Sequence, residues 1–295
     1  MAGKLKEVRT RITSVTSTQQ ITKAMKMVSA AKLRRAQEAI QQMRPYSLKM
    51  GELLSKIAAE AQGDVNIEFA KQREVKNVLI VLITSDKGLC GAFNTNAVKA
   101  AKKLIEERYS NLPVSNVKLM FIGKKAHDVL KRSPNPQLIE FKDLFQRMGY
   151  PNVMAATEFI KNGFINKEFD EVFVIYNRFK NAATQFLETE QFLPIKKIEK
   201  AAASSKINSN YIFDPDKEKM IEELVPKILN TTFYRYILDS NASEHGARMT
   251  AMDKASENAN ELLKELKVSY NRARQAAITT ELTEIVSGAA ALQGA

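Results

Sequence analysis

Glycine and proline are almost missing from the two ends of this 295-residue chain. Residues 4–44 hold neither, and residues 227–287 hold only Gly246. With nothing to end or kink it, each end predicts one long helix. At about 1.5 Å per residue, the first (roughly residues 4–61) would reach ~90 Å and the last (roughly residues 217–292) ~110 Å. Ordinary globular helices stop after three or four turns, so the expected object is a rod carrying a body. Other scarcities narrow the chemistry. The single cysteine, Cys90, excludes an internal disulfide and suits a reducing compartment. The only two histidines, His127 and His245, fall on different predicted helices. No run approaches eighteen apolar residues, so no direct membrane insertion is expected. The opening Met-Ala-Gly-Lys-Leu-Lys-Glu lacks the apolar run of a secretory signal. It is basic and amphipathic like a transit peptide, but its stripe continues into the helix. The expectation is a soluble cytoplasmic chain.

What is present at the ends is a stripe of apolar residues at coiled-coil spacing. From Leu5, steps of three and four give Val8, Ile12, Val15, Gln19, Thr22, Lys26, Ser29, Leu33, Ala36, Ile40 and Met43. The failures cluster between residues 19 and 29, where apolar residues move to another face carrying Ile21, Met25 and Val28. The C-terminal row runs Leu238, Ala242, His245, Met249, Met252, Ser256, Ala259, Leu263, Leu266, Tyr270, Ala273, Ala277. After residue 277 it slips by one, to Ile278, Leu282, Ile285, Ala289 and Leu292, a phase break for a supercoil. Each stripe needs a partner of equal length. An antiparallel coil between the two ends supplies one, and another molecule is the alternative.

Charge is unevenly placed. Of a net +12, residues 1–56 carry +9 and residues 217–295 carry −1. A basic helix can serve nucleic acid, an anionic membrane surface or an acidic protein, or be a solvated face. No zinc ligand set and no RNA-binding aromatic motif supports nucleic acid.

Between the ends the pattern alternates. Val78–Thr84 is a continuous apolar run, as in a buried parallel strand. A helix over 94–108, a strand over 117–122, a helix over 124–131 and a short strand over 138–141 follow. A helix over 151–165 and a strand over 171–176 come next, with an edge strand over 186–195 and a polar loop over 196–210. Such alternation predicts an open α/β sheet. Pro226 is expected to kink the early turns of the last helix. The most suggestive segment for a ligand is Thr84-Ser-Asp-Lys-Gly-Leu-Cys-Gly-Ala-Phe-Asn-Thr-Asn96, at the carboxyl end of the first strand, where open sheets bind ligands. It has neither glycine spacing of a phosphate cradle, because Lys87 precedes Gly88 and Gly91. No carboxylate pair stands out and no histidine lies near Cys90 in sequence. A structural turn, no cofactor and no catalysis in this chain alone are expected.

Four segments together resemble one family. They are Thr18-Gln-Gln-Ile-Thr-Lys-Ala-Met-Lys-Met-Val28, Ser85-Asp-Lys-Gly-Leu-Cys-Gly91, Ala242-Ser-Glu-His-Gly-Ala-Arg-Met-Thr-Ala-Met252, and the ending from Tyr270-Asn-Arg-Ala-Arg-Gln through Ser-Gly-Ala-Ala290. They resemble, in order and over the whole length, the gamma chain of the F-type ATP synthase. The resemblance implies an α/β fold class: a long antiparallel coiled coil of the N- and C-terminal helices plus an open, Rossmann-like α/β middle domain. The expected divisions are residues 1–62, 63–210 and 211–295. It implies a rotor shaft inside a hexamer of alpha and beta chains, beside an epsilon chain and a ring of c subunits. That shaft would be peripheral, on the cytoplasmic face of a bacterial inner membrane, coupling proton-driven rotation to ATP synthesis. By the same resemblance Met25 and Lys26 face an acidic lever of the beta chain, and Arg274 and Gln275 hydrogen-bond the beta chain. Ile278, Leu282, Ile285 and Leu292 form a bearing tip, and Phe213 and Asp214 lie near the c-ring or epsilon chain. Chloroplast relatives carry a regulatory cysteine pair that this sequence lacks. The alternative is a basic coiled-coil adaptor for nucleic acid or a membrane surface.

Overall fold

The computed structural model describes residues 2–60, 68–131, 138–141, 144–145, 148–195 and 217–293. It contains five α-helices among them: α1 (Ala2–Glu60), α2 (Phe93–Arg108), α3 (Lys124–Leu130), α4 (Tyr150–Ile165) and α5 (Lys217–Gln293). Five strands accompany them: β1 (Val78–Ile83), β2 (Val117–Ile122), β3 (Leu138–Glu140), β4 (Glu171–Phe179) and β5 (Gln185–Leu193). Both long helices run through an internal proline, Pro45 in α1 and Pro226 in α5. The chain divides into two compact units, Met1–Ser29 with Met249–Ala295, and Ala30–Arg248.

In the Ala30–Arg248 unit the sheet order is β3-β2-β1-β4-β5. The first four strands are parallel, and β5 returns antiparallel to β4. Every residue of β1 is buried, because helices cover both faces of the sheet. Period-two alternation splits the strand between two cores. Leu79, Val81 and Ile83 face α4 and the early part of α5, through Val153, Ile160, Phe164, Phe233 and Ile237. Val78, Ile80 and Leu82 face α2 and α3, through Ala97, Ala101, Ala126 and Leu130. At roughly 1.5–3 kcal/mol for each large apolar side chain taken from water, these two layers dominate the unit's stability. A carboxylate ties the sheet to α5. Glu190 on β5 accepts from Tyr176 Oη at 2.7 Å and Tyr236 Oη at 2.6 Å. Burial, and then those bonds to Glu190, raise both phenol pKa values, so both stay donors.

In the unit of Met1–Ser29 and Met249–Ala295, α1 and α5 pair antiparallel. The row of Met252, Ser256, Ala259, Leu263 and Leu266 is buried, as its spacing predicts. In the N-terminal half the apolar residues between 19 and 29 do leave the row, as read from the sequence, but the buried seam does not follow them. Thr22 and Ser29 are buried, while Ile21, Met27 and Val28 are 60%, 67% and 57% exposed. The seam turns polar instead, and its partner turns polar with it. Thr22 Oγ1 and Ser256 Oγ lie 2.7 Å apart, and Lys26 Nζ donates to Asp253 Oδ1. A polar pair satisfied across the seam can remain there and fixes the register, which an apolar seam alone does not. That register brings Ala2 level with Ala276, and beyond it no described residue of α1 stands opposite α5. From Ile278 to Ala289 every residue except Thr280 is exposed.

The β2–α3 junction carries the tightest backbone approach. Gly123 sits at φ +91°, and a Cβ there would lie 2.0 Å from the carbonyl oxygen of Thr84. Gly123→Ala therefore combines left-handed strain with a backbone clash. We expect it to destabilise the chain by about 3 kcal/mol or more, read as a lower urea midpoint at unchanged m-value.

Candidate functional site

Chain order runs outward from β1 to β3 and then returns to β4 on the other side of β1. The carboxyl edge between β1 and β4 is thus the switch point, where an open α/β sheet usually takes a ligand. Here the chain fills that edge itself. Asn94 Oδ1 accepts from Ser85 N at 2.9 Å, and Asn94 Nδ2 donates to Ser85 Oγ at 2.7 Å and to Cys90 Sγ at 3.2 Å. Ser85 Oγ donates to Lys87 O at 2.7 Å, closing the turn on itself. The loop apex leaves Leu89 exposed at φ +64°, an unusual conformation for a non-glycine residue.

The seal comes from α5. Pairing of β1 with β4 ends at Leu82–Ile175, so β4 outruns its neighbour. Beyond that point Ser240 Oγ accepts from Asn177 N at 3.1 Å, and Ser243 Oγ donates to Asn177 O at 2.9 Å. One turn later Arg248 Nη2 donates to Lys87 O at 2.9 Å and Gly88 O at 3.3 Å. Arg248 Nη1 is held by Glu244 Oε1 at 2.6 Å, and both side chains are nearly buried. The carbonyls of the loop are thereby spent on a guanidinium of the same chain. Burial raises the Glu244 pKa, opposed by Arg248. His245 is pushed down to about 4 by burial, then by Arg248 and Lys32, which keeps it neutral. Cys90 is buried among these hydrogen bonds. In a crevice occupied in this way the Ser85 backbone N–H, the Lys87 and Gly88 carbonyls and the Cys90 sulfur are all engaged by side chains of the same chain. Among the described residues no group of three His, Cys, Asp or Glu could hold a metal ion, and no helix is long and apolar enough to cross a membrane.

The residues expected to meet partners all lie on the helix pair or outside the described residues. Met25 is half-buried beside the exposed Ile21, Met27 and Val28. Lys26 is half-exposed, but its charge is already paired with Asp253. Arg274 and Gln275 are exposed and level with the first turn of α1, some six turns from Met25 along the pair, so the structure does not bring the two sets together. Past them Ile278, Leu282 and Ile285 are 48%, 57% and 67% exposed. Leu292 lies in the last turn of α5, and its side chain, like Phe213 and Asp214, is outside the described residues. Sequence reasoning missed the structural clamp of Ser240, Ser243 and Arg248. The only available signal was polar residues flanking a coil row.

The two units are thus a long antiparallel helix pair and an open α/β sheet whose ligand edge is filled by the chain's own side chains. The family model described as ATP synthase matches residues 4–292. The ATP synthase gamma chain of Cytophaga hutchinsonii is 54% identical over 98% of each chain. A solved chain from the Tetrahymena thermophila mitochondrial ATP synthase central stalk and c-ring is 28% identical, with a TM-score of 0.57 over 80% of this chain and 99% of that one. A chain of the Euglena gracilis mitochondrial ATP synthase shares the fold at a TM-score of 0.70, covering 99% of this chain and 95% of that one at 22% identity. The chain belongs to the ATP synthase gamma-chain family. It is a central-stalk rotor subunit, a peripheral part of the membrane ATP synthase, and does not itself catalyse. The alternative of a nucleic-acid or membrane adaptor is not favoured.

The clamp makes a pH-dependent prediction. Arg248→Met leaves Glu244 buried without its cation, which should cost about 3–5 kcal/mol near neutral pH. A carboxyl whose folded pKa lies above its unfolded value favours the folded state when protonated, and that contribution is lost as pH rises through the folded value. The variant's deficit should therefore shrink as pH falls toward 4.5. Urea titrations at pH 7 and pH 5 measure this, and an equal deficit at both would contradict the clamp.

Proposed function

We propose that the paired stretches of α1 and α5 act as the shaft that turns inside a collar of alternating alpha and beta chains, transmitting proton-driven rotation. In this reading residues 1–62 and 211–295 are the shaft segments, and residues 63–210 are the body that meets an epsilon chain and the c-subunit ring. The working place is the cytoplasmic face of a bacterial inner membrane. The observation that carries the reading is the exposed apolar run past the end of the seam. Ile278, Leu282 and Ile285 stand on a helix with no partner strip opposite them among the described residues. An apolar helix end left in water invites aggregation, whereas a hydrophobic sleeve makes it a bearing. Leu292 is assigned to the same tip by sequence position.

Below the tip, Arg274 and Gln275 supply polar contacts to the beta chain. Met25, with Ile21, Met27 and Val28 around it, supplies an apolar patch for the beta lever. Lys26, held by Asp253, supplies positive potential at that patch rather than an unpaired cation. Phe213 and Asp214 are assigned to the neighbourhood of the ring on family resemblance alone.

Tip and polar contacts should fail differently. Deleting residues 287–295 removes smooth surface, so ATPase per assembled complex should persist while the yield of complex falls. Replacing Arg274 and Gln275 together with Leu strands polar groups of the beta chain, at roughly 1–3 kcal/mol each. Turnover per complex should then fall while assembly continues. Loss of turnover only in the deletion would reverse the two assignments.

A further inference from the structure

Within the Ala30–Arg248 unit, α1, the end of β4 and α5 line a half-open cavity of about 310 Å³, at the lower end of the size range of small-molecule sites. Its apolar wall draws on all three elements, through Ile40 and Met43 of α1, Phe179 of β4 and Leu238 of α5. Its charge is mostly of one sign, with Arg44, Arg178 and Arg235 against the single carboxylate of Asp239.

The three cations are not equally committed. Arg178 Nε and Nη2 both reach Glu188 Oε1 at 3.0 Å, and Arg235 lies 5.4 Å from the centre of the Tyr236 ring. Arg44, exposed on α1, has no hydrogen bond or ion pair among the described residues. Asp239 is nearly buried, and burial raises its pKa to about 6, with Arg235 and Arg178 opposing and Glu190 adding to the rise. Its negative charge is thus the least firmly held in the cavity. An apolar wall beside forked cations complements a compact hydrocarbon ending in one planar anion, since a guanidinium holds a carboxylate by two parallel hydrogen bonds. A cation of the same shape would meet three positive groups.

We propose that this cavity is a binding site for a free, small amphiphilic carboxylate, a medium-length alkyl or an aryl acid, with its hydrocarbon against Met43, Phe179 and Leu238 and its anion toward Arg44 and Arg235. Occupancy joins α1, β4 and α5 through one ligand and so braces that part of the subunit. The site does not depend on the rotor assignment.

The test uses an octanoate analogue carrying a diazirine, irradiated with the purified chain and separately with the assembled ATP synthase. Saturable labelling is expected in peptides covering residues 40–48 and 178–179. Octanoate should compete, and octanol or octylamine should compete at least tenfold more weakly. Arg44→Glu should weaken labelling tenfold or more, Arg44→Lys should retain part of it, and Met43→Trp should block it by filling the space with all charges intact. Non-saturable labelling, equal competition by octanol, or an unaffected Arg44→Glu variant would overturn the proposal. Labelling of the isolated chain but not of the complex would also overturn it, since a partner's side chain would then be the occupant.

Discussion

The constraint on which the rest depends is the length of α5. A helix of 77 residues carries an apolar stripe far longer than any compact core can cover. The stripe is met in two ways. Through Val225, Leu229, Phe233 and Ile237 it completes one face of the sheet. Through Met252, Ser256, Ala259, Leu263 and Leu266 it forms a seam with α1. Neither cover extends past residue 277, and the exposed apolar end that remains is the physical reason to expect a sleeve from other chains.

The same helix closes the ligand edge of the α/β body. The switch point of the sheet exists, but Ser240 and Ser243 satisfy the overhanging backbone of β4, and Arg248 takes the loop carbonyls after β1. Backbone groups that would otherwise await a ligand are already paired, at about 1 kcal/mol net for each bond and considerably more if any were left buried and unmade. The charge that does this is itself buried, and Glu244 makes that tolerable. Closing the edge and fixing the helix to the sheet are one set of contacts.

Much of this was legible in the residues. The scarcity of helix breakers announced the two long helices, although each continues through a proline outside its breaker-free run, Pro45 and Pro226, and the run Val78-Leu-Ile-Val-Leu-Ile83 announced a strand buried on both faces. What was not legible depended on partners distant in sequence. Thr22 and Lys26 read as failures of the stripe because hydrophobicity alone was counted, and their answers, Ser256 and Asp253, lie more than 220 residues away. The strand over 171–176 continues to Phe179 because β5 pairs with it, a gain that local composition cannot signal. The arginine-lined cavity needed three elements to be placed before it existed at all.

The central claim is that α5 carries its own partner up to the end of the seam and borrows one beyond it. Amide hydrogen exchange on the isolated chain and on the assembled complex tests this directly. In the isolated chain, amides of residues 253–277 should be protected and those of residues 278–293 should exchange rapidly, since local opening there breaks no tertiary packing. In the complex the second group should become protected as well. Equal protection of both stretches in the isolated chain, or no gain for residues 278–293 on assembly, would contradict the account.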